Sequence, residues 1–131
     1  MFANAWNPSS AEVRAWAYTP NAAHPCEEWD LALLWARHEQ DYLEFAADTA
    51  CPNQAYFLHV IYFVVGSAVR HGFRDVPEPV VRGFVDLAAS SKSPALRLWR
   101  ERSLRLLENP SAFEYTAWCG GGLASRNETE A

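Results

Sequence analysis

The stretch CPNQAYFLHVIYFVVGSAVR, residues 51–70, decides the fold. Its opening, Cys51-Pro52-Asn53, breaks any preceding helix, because proline lacks an amide donor and biases the residue before it toward extended backbone. From Ala55 to Val69 only His59, Gly66 and Ser67 interrupt apolar side chains. These fifteen residues fall short of the roughly 20 needed to cross a bilayer, and they contain polar breaks. The β-rich run Tyr56–Val65 would also suit a buried strand; its length and its helical neighbours favour a helix. The expectation is a central helix over about 54–71, buried on most sides and ending near Gly72.

Upstream, Pro25 suits a first helical turn, and Glu27, Glu28 and Asp30 follow it, where acids favour the positive end of a helix. Leu31, Leu34, Trp35, His38, Tyr42, Phe45, Ala46 and Thr49 then recur at three- and four-residue steps. That periodicity predicts one continuous amphipathic helix across about 26–50, with His38 marking where a break would fall. Arg37, Asp41, Glu44 and Asp48 share another face, an acidic stripe. Nearer the start, Ser9 and Glu12 have capping-box spacing, which predicts a short helix over about 10–18 ahead of Pro20. The alternation in Val13–Tyr18 would also allow a strand.

Downstream, Asp75, Pro77 and Pro79 mark a turn and a helix start, with Val80, Val81, Phe84, Leu87 and Ala88 as the apolar face. After Ser90-Ser91-Lys92, Ser93 caps and Pro94 opens the next helix. Its inner face is Leu96, Trp99, Ser103, Leu106 and Leu107, and its outer face Arg97, Arg100, Arg102 and Arg105. Asn109-Pro110 stops it. A last short helix, Ala112 to Cys119, presents Phe113 and Trp118 before Gly120-Gly121-Gly122. The predicted fold is all-α: a single-domain bundle of five to seven helices across 1–122 around the central helix, with a frayed tail over 123–131.

Of the 131 residues, 50% are hydrophobic and 21% charged, enough apolar material to exclude global disorder. Aromatics reach 14%, which predicts an aromatic core. The net charge of −5 disfavours nucleic acid and anionic membranes as partners and suits a basic protein. Residues 1–50 carry a net −6, residues 51–110 a net +3 and the last twenty-one a net −2. Three cysteines without pattern make no disulfide framework, and the N-terminus has no signal-peptide character, so the expected location is cytoplasmic. Ten arginines against one lysine point to a GC-rich bacterial genome.

No constellation announces chemistry. His24, Cys26, His38, Cys51, His59, His71 and Cys119 lack the paired spacing that brings two neighbouring ligands onto one ion, so no metal or cofactor is implied. His59, inside the most apolar stretch, reads as a core histidine that needs a hydrogen-bond partner. His38, beside Glu39 and Asp41, could serve as a general base but reads as a boundary residue. Cys119 would sit at the negative end of a helix dipole, which disfavours a thiolate. Cys51, just ahead of a helix, is better placed, yet it has no histidine beside it in sequence. The glycine triplet lacks the Lys-Ser/Thr and the strand-to-helix context of a phosphate loop. No catalytic residue is assigned.

The segment 80–107 has the outline of a DNA-reading helix-turn-helix, with Arg97, Arg100, Arg102 and Arg105 as candidate phosphate contacts. The acidic residues Asp41, Glu44 and Asp48, with Glu27, Glu28 and Asp30, form either a solvated face or a field that steers a basic protein. A homodimer pairing the acidic helix of one copy with the arginine helix of another is a further arrangement.

The segments CPNQAYFLHVIYFVVGSAVR (51–70) and FEYTAWCGGGLA (113–124) are distinctive but carry no known activity. In size, acidity, helical content and lack of a catalytic constellation, the whole chain resembles the small immunity proteins that bacteria make against their own toxins. The resemblance implies a non-enzymatic protein that binds and inhibits a basic toxin or effector domain. It assigns no residue. The readings that compete with it are the helix-turn-helix regulator and a small enzyme using His59 or His38.

Overall fold

A computed structural model describes residues 3–112, and within them every regular element is helical. The order is α1 (Ser10–Ala17), α2 (Trp29–Ala36), α3 (Glu39–Ala47), α4 (Gln54–Arg70), α5 (Glu78–Asp86), α6 (Pro94–Glu108) and a single 3-10 turn, Pro110–Ala112. The all-α bundle read from the sequence is therefore the observed one. The last predicted helix, with Phe113, Trp118, Cys119 and the glycine triplet, lies outside the described residues, as does the tail over 123–131.

Helix α4 is the axis of the bundle and matches the predicted span closely. It packs against α2, α3, α5 and α6. Phe57, Val60, Ile61, Val64 and Val65 are buried along it. Each such side chain contributes about 1.5–3 kcal/mol relative to exposure. Its end is a Schellman motif: the Phe73 amide donates to the Ala68 carbonyl at 2.8 Å and the Gly72 amide to that of Val69 at 3.2 Å. Gly72 takes the left-handed conformation this needs, at φ 63°.

The caps read from the sequence form as written. The Ser9 hydroxyl accepts from the Glu12 amide at 3.1 Å, and the Glu12 carboxylate accepts from the Ser9 amide at 2.8 Å. The Ser93 hydroxyl accepts from the Leu96 amide at 3.3 Å, with Pro94 in the first turn of α6. Around the start of α4 sits an aromatic cluster. Trp16 meets Trp29 edge-on at 4.7 Å, and Phe45 meets Phe57 edge-on at 4.9 Å. At the other end of the core, Trp99 of α6 packs edge-on against Phe84 of α5 at 5.1 Å.

The continuous helix expected over 26–50 is instead two helices. Arg37 turns left-handed (φ 65°, ψ 44°) and His38 opens α3 at φ −103°. Both halves keep helical spacing, so the pattern survives the break that the sequence placed only as an alternative. The break lets α2 and α3 each lie against α4. A buried hydrogen bond from the Tyr42 hydroxyl to the Leu33 carbonyl, 2.7 Å, ties the halves together. Helix α2 also starts later than expected. Glu28 is left-handed at φ 54°, so Pro25, Glu27 and Glu28 precede the helix. Three residues assigned to apolar faces point outward: Trp35 is 60% exposed, Leu87 51% and Val80 44%.

Candidate interaction site

The acidic stripe is a seam between two helices. Ser10, Arg14 and Tyr18 recur at four-residue steps along and just beyond α1, and all three meet acids of α3 or its cap. The Ser10 hydroxyl donates to Asp41 at 2.5 Å. Arg14 grips Glu44 with two nitrogens and lies 3.6 Å from Asp41. The Tyr18 hydroxyl donates to Asp48 at 2.6 Å. The pairs ascend together (10 with 41, 14 with 44, 18 with 48), so α1 and α3 run parallel.

These contacts set the protonation behaviour. Glu44 is held below the usual carboxylate range by the hydrogen bond from Arg14. Asp48 is lowered by the Tyr18 hydroxyl and then by the Ala50 amide. In return Tyr18 is pushed up to about 12, first by its hydrogen bond to Asp48. Glu44 still keeps about half of its side chain open to solvent, whereas Asp41 keeps a quarter.

Asp30 does not belong to that surface. It is 5% exposed, and its Oδ2 lies 2.9 Å from His59 Nε2. Its other oxygen accepts from the Leu31 amide at 2.8 Å. His59 thereby has the partner that a buried imidazole requires. Glu27 and Glu28 are exposed in the loop before α2.

The four arginines of α6 divide by environment. Arg97 and Arg105 are exposed, while Arg100 and Arg102 are half-buried. Arg97 donates to the Ser91 carbonyl at 3.1 Å, and Arg100 stands 3.5 Å from Asp86. Half the set is thus turned partly inward, toward its own fold. Burial raises the Cys51 thiol, whose Sγ donates to the Ala17 carbonyl at 3.2 Å. Among the described residues no group of three or more His, Cys, Asp or Glu side chains is gathered for a metal. None of the described helices is long and apolar enough to cross a membrane.

Two surface features escaped the sequence reading. The first is a tryptophan pair. The segment ahead of α1 is laced to α2 and α3: the Trp29 indole donates to the Ala5 carbonyl at 3.0 Å, and His38 Nε2 to the Pro8 carbonyl at 3.0 Å. This holds Trp6, 42% exposed, beside Trp35 with ring centroids 6.0 Å apart. The second is an open cleft of about 590 Å³. One wall is α5, through Val80, Phe84 and Leu87. The other is the α2–α3 junction, through Arg37, His38, Glu39, Gln40 and Asp41, with Ser10 at its edge.

Ser10, His38 and Asp41 share this cleft without forming a relay. The hydroxyl donates straight to the carboxylate, and the imidazole is turned to Pro8. In a Ser-His-Asp relay the imidazole stands between the other two. No sequence signal marks either feature, because each joins segments far apart in the chain. Comparison with protein-family models, curated proteins and solved structures found no match for this chain.

Proposed function

We propose that the chain is a protein-binding module of the immunity type, which docks a basic toxin or effector domain in the bacterial cytoplasm and inhibits it. The observation that carries this reading is the Trp6–Trp35 pair. Two large indoles held against each other at the surface leave apolar area uncovered that burial would stabilise by roughly 25 cal/mol per Å². Tryptophan is the residue most enriched among the few that dominate binding energy at interfaces. The half of the chain bearing the pair carries a net −6, which favours encounter with a basic partner. In this arrangement Glu27, Glu28 and the open half of Glu44 meet the partner. Asp41 and Asp48 hold α3 to α1, and Asp30 takes no part.

Affinity capture with the purified chain from its native cells, followed by association kinetics, tests the reading. Trp35→Ala is expected to speed dissociation at least about tenfold with little loss of stability. Reversing Glu27, Glu28 and Glu44 is expected to slow association and flatten its salt dependence. Rates untouched by both sets of changes would remove the proposal.

One observation favours a second reading. His38 lines a cleft that also holds Ser10, Glu39 and Asp41, polar groups of the kind hydrolases use. Turnover of a chromogenic ester or amide by the purified chain, abolished in His38→Ala, would put that reading first.

A further inference from the structure

We infer that the outward face of α2 receives a basic segment of the partner, with an arginine laid flat on the Trp6–Trp35 pair and a second cation at Glu27 and Glu28. The inference rests on the protein-binding reading above and gives that partner a chemistry. Glu28, Leu31 and Trp35 stand at i, i+3 and i+7, so they share one side of α2. Glu28 and Trp35 are exposed and Leu31 is half-buried, whereas the other side of the helix faces the core. The segment ahead of α1 runs along this face. Ala5 is fastened to Trp29, the residue after Glu28, and Trp6 lies against Trp35. The Trp6 amide also donates to Asn4 Oδ1 at 3.0 Å. The indoles are thus held in place before any partner arrives, which lowers the ordering cost of binding.

The charge around the indoles selects what covers them. Arg14 and Arg37 are the only arginine or lysine side chains in residues 1–50, and Glu44 and Glu39 already answer them. Glu27 and Glu28 are in the opposite position. Among the described residues neither forms an ion pair, and the Glu28 side chain does not cap the helix it precedes. Two carboxylates outweigh the roughly half positive charge at the start of α2. Tryptophan is also the strongest ring acceptor of a cation, and among the described residues no cation lies over either indole. Arginine meets both demands, because its guanidinium is planar, weakly hydrated and stacks on aromatic faces, whereas lysine is a hydrated point charge. An acidic segment would be repelled by Glu27 and Glu28. The two ends of the face lie about 10 Å apart at 1.5 Å per residue, a spacing that a partner helix offers at i and i+7.

The test uses the full chain, isotopically labelled so that amide and indole N–H groups are followed by NMR, and two synthetic helical peptides of about 14 residues. One carries arginine at two positions seven apart on an alanine–glutamine background; the other carries lysine at both. The expected result is that the arginine peptide shifts the indole signals of Trp6 and Trp35 and the amides of Glu28 and Leu31 first. The buried Trp99 indole should stay in place. The lysine peptide should bind at least about threefold more weakly. In Trp35→Leu, which keeps an apolar side chain at an exposed site, the preference for arginine should disappear. Trp6→Leu repeats the measurement should that variant fold poorly. In Glu27→Gln/Glu28→Gln, affinity for both peptides should fall at least about threefold and lose most of its salt dependence.

Equal affinity for the two peptides, a preference for arginine that survives Trp35→Leu, or shifts centred away from α2 would overturn the inference. So would the absence of any shift at millimolar peptide, or sedimentation showing that a second copy of the chain covers the indoles. If the peptides fail while Trp35→Ala still weakens a captured partner, the inference falls and the binding reading stands. If Trp35→Ala and the charge reversals also have no effect, both fall.

Discussion

Arg14 holds Glu44 in a two-pronged grip, at 2.7 and 3.1 Å, across thirty residues of chain. The same guanidinium carbon lies 4.9 Å from the centre of the Phe45 ring. One side chain thus joins a carboxylate to an aromatic on the neighbouring helix. With Ser10–Asp41 above and Tyr18–Asp48 below, it makes the face of α3 richest in acid a structural surface before it is anything else.

The seam, the Ser9–Glu12 cap and the buried Tyr42 give stability a pH dependence with two edges. Glu44, Asp48 and Glu12 have lowered folded-state values, set by the Arg14 hydrogen bond, the Tyr18 hydroxyl and the Ser9 amide respectively. A lowered carboxylate contributes stability above its unfolded value and loses it as pH falls through the folded one. Loss should therefore set in below about pH 5. Tyr18, raised to about 12, contributes fully below its unfolded value near 10 and loses that contribution as pH rises toward 12. Tyr42, raised by burial, acts in the same direction. Urea midpoints measured across pH should form a plateau with both shoulders falling. Tyr18→Phe should shrink the acid shoulder by releasing Asp48. A midpoint that rises on acidification would contradict the account.

Breaking the Asp30–His59 pair should be costly. Removing one partner of a buried pair typically destabilises by about 3–5 kcal/mol, because the other is left uncompensated. Asp30→Ala should fall near the lower end of that range, since His59 retains some access to solvent. Asp30→Asn, which keeps an acceptor toward the imidazole, should cost less. Chemical denaturation of the two variants compares them, and equal losses would mean that the hydrogen bond is not what matters at this position.

Ser103 presents the opposite case. It is fully buried on α6, yet among the described residues its hydroxyl has no hydrogen-bond partner, and neither has the Trp99 indole nitrogen one turn earlier. An unsatisfied buried hydroxyl costs about 1–3 kcal/mol, and alanine is also the better helix former. Ser103→Ala should leave stability unchanged or raise it by up to about 1 kcal/mol. A clear drop in the thermal midpoint would show that the hydroxyl contributes after all.

Backbone strain between α2 and α3 can be relieved in one step. A left-handed residue with a Cβ costs roughly 1–2 kcal/mol, and Arg37 occupies that conformation at φ 65°. Its ion pair with Glu39 is solvent-exposed and worth little. Arg37→Gly should therefore gain up to about 1 kcal/mol, less the added freedom of the unfolded chain. Gly72→Ala should lose about as much: nothing lies within 4 Å of the added methyl, so only the φ of 63° opposes it. Urea midpoints moving in opposite directions for the two variants are the expected outcome.

Features that depend on a few neighbouring residues could be read directly. The Ser9–Glu12 box, the span of α4 and the Ser93-Pro94 start of α6 each follow from local spacing, and each is where it was expected. The inner face of α6 was equally legible, since Leu96, Trp99, Ser103 and Leu106 recur at helical steps and are all buried. Little of the candidate site was legible in this way. Trp35 obeys the same periodicity as its buried neighbours and is still the most exposed large apolar side chain described.

Periodicity tells which residues share a helix face; it does not tell which face meets another helix. That choice was made when α2 and α3 parted at Arg37 and each settled against α4. It turned Asp30 inward to His59 and Trp35 outward to Trp6. It also opened the cleft beside Val80 and Leu87 and set the acids of α3 opposite Ser10, Arg14 and Tyr18. The amino-acid order alone determined the all-α class, the spans of α1, α4 and α6 and the aromatic core, because these rest on interactions within a turn or two and on apolar content. The assignment of Asp30, of the α3 acids and of the exposed indoles belonged to tertiary packing, because the partner of each lies some thirty residues away.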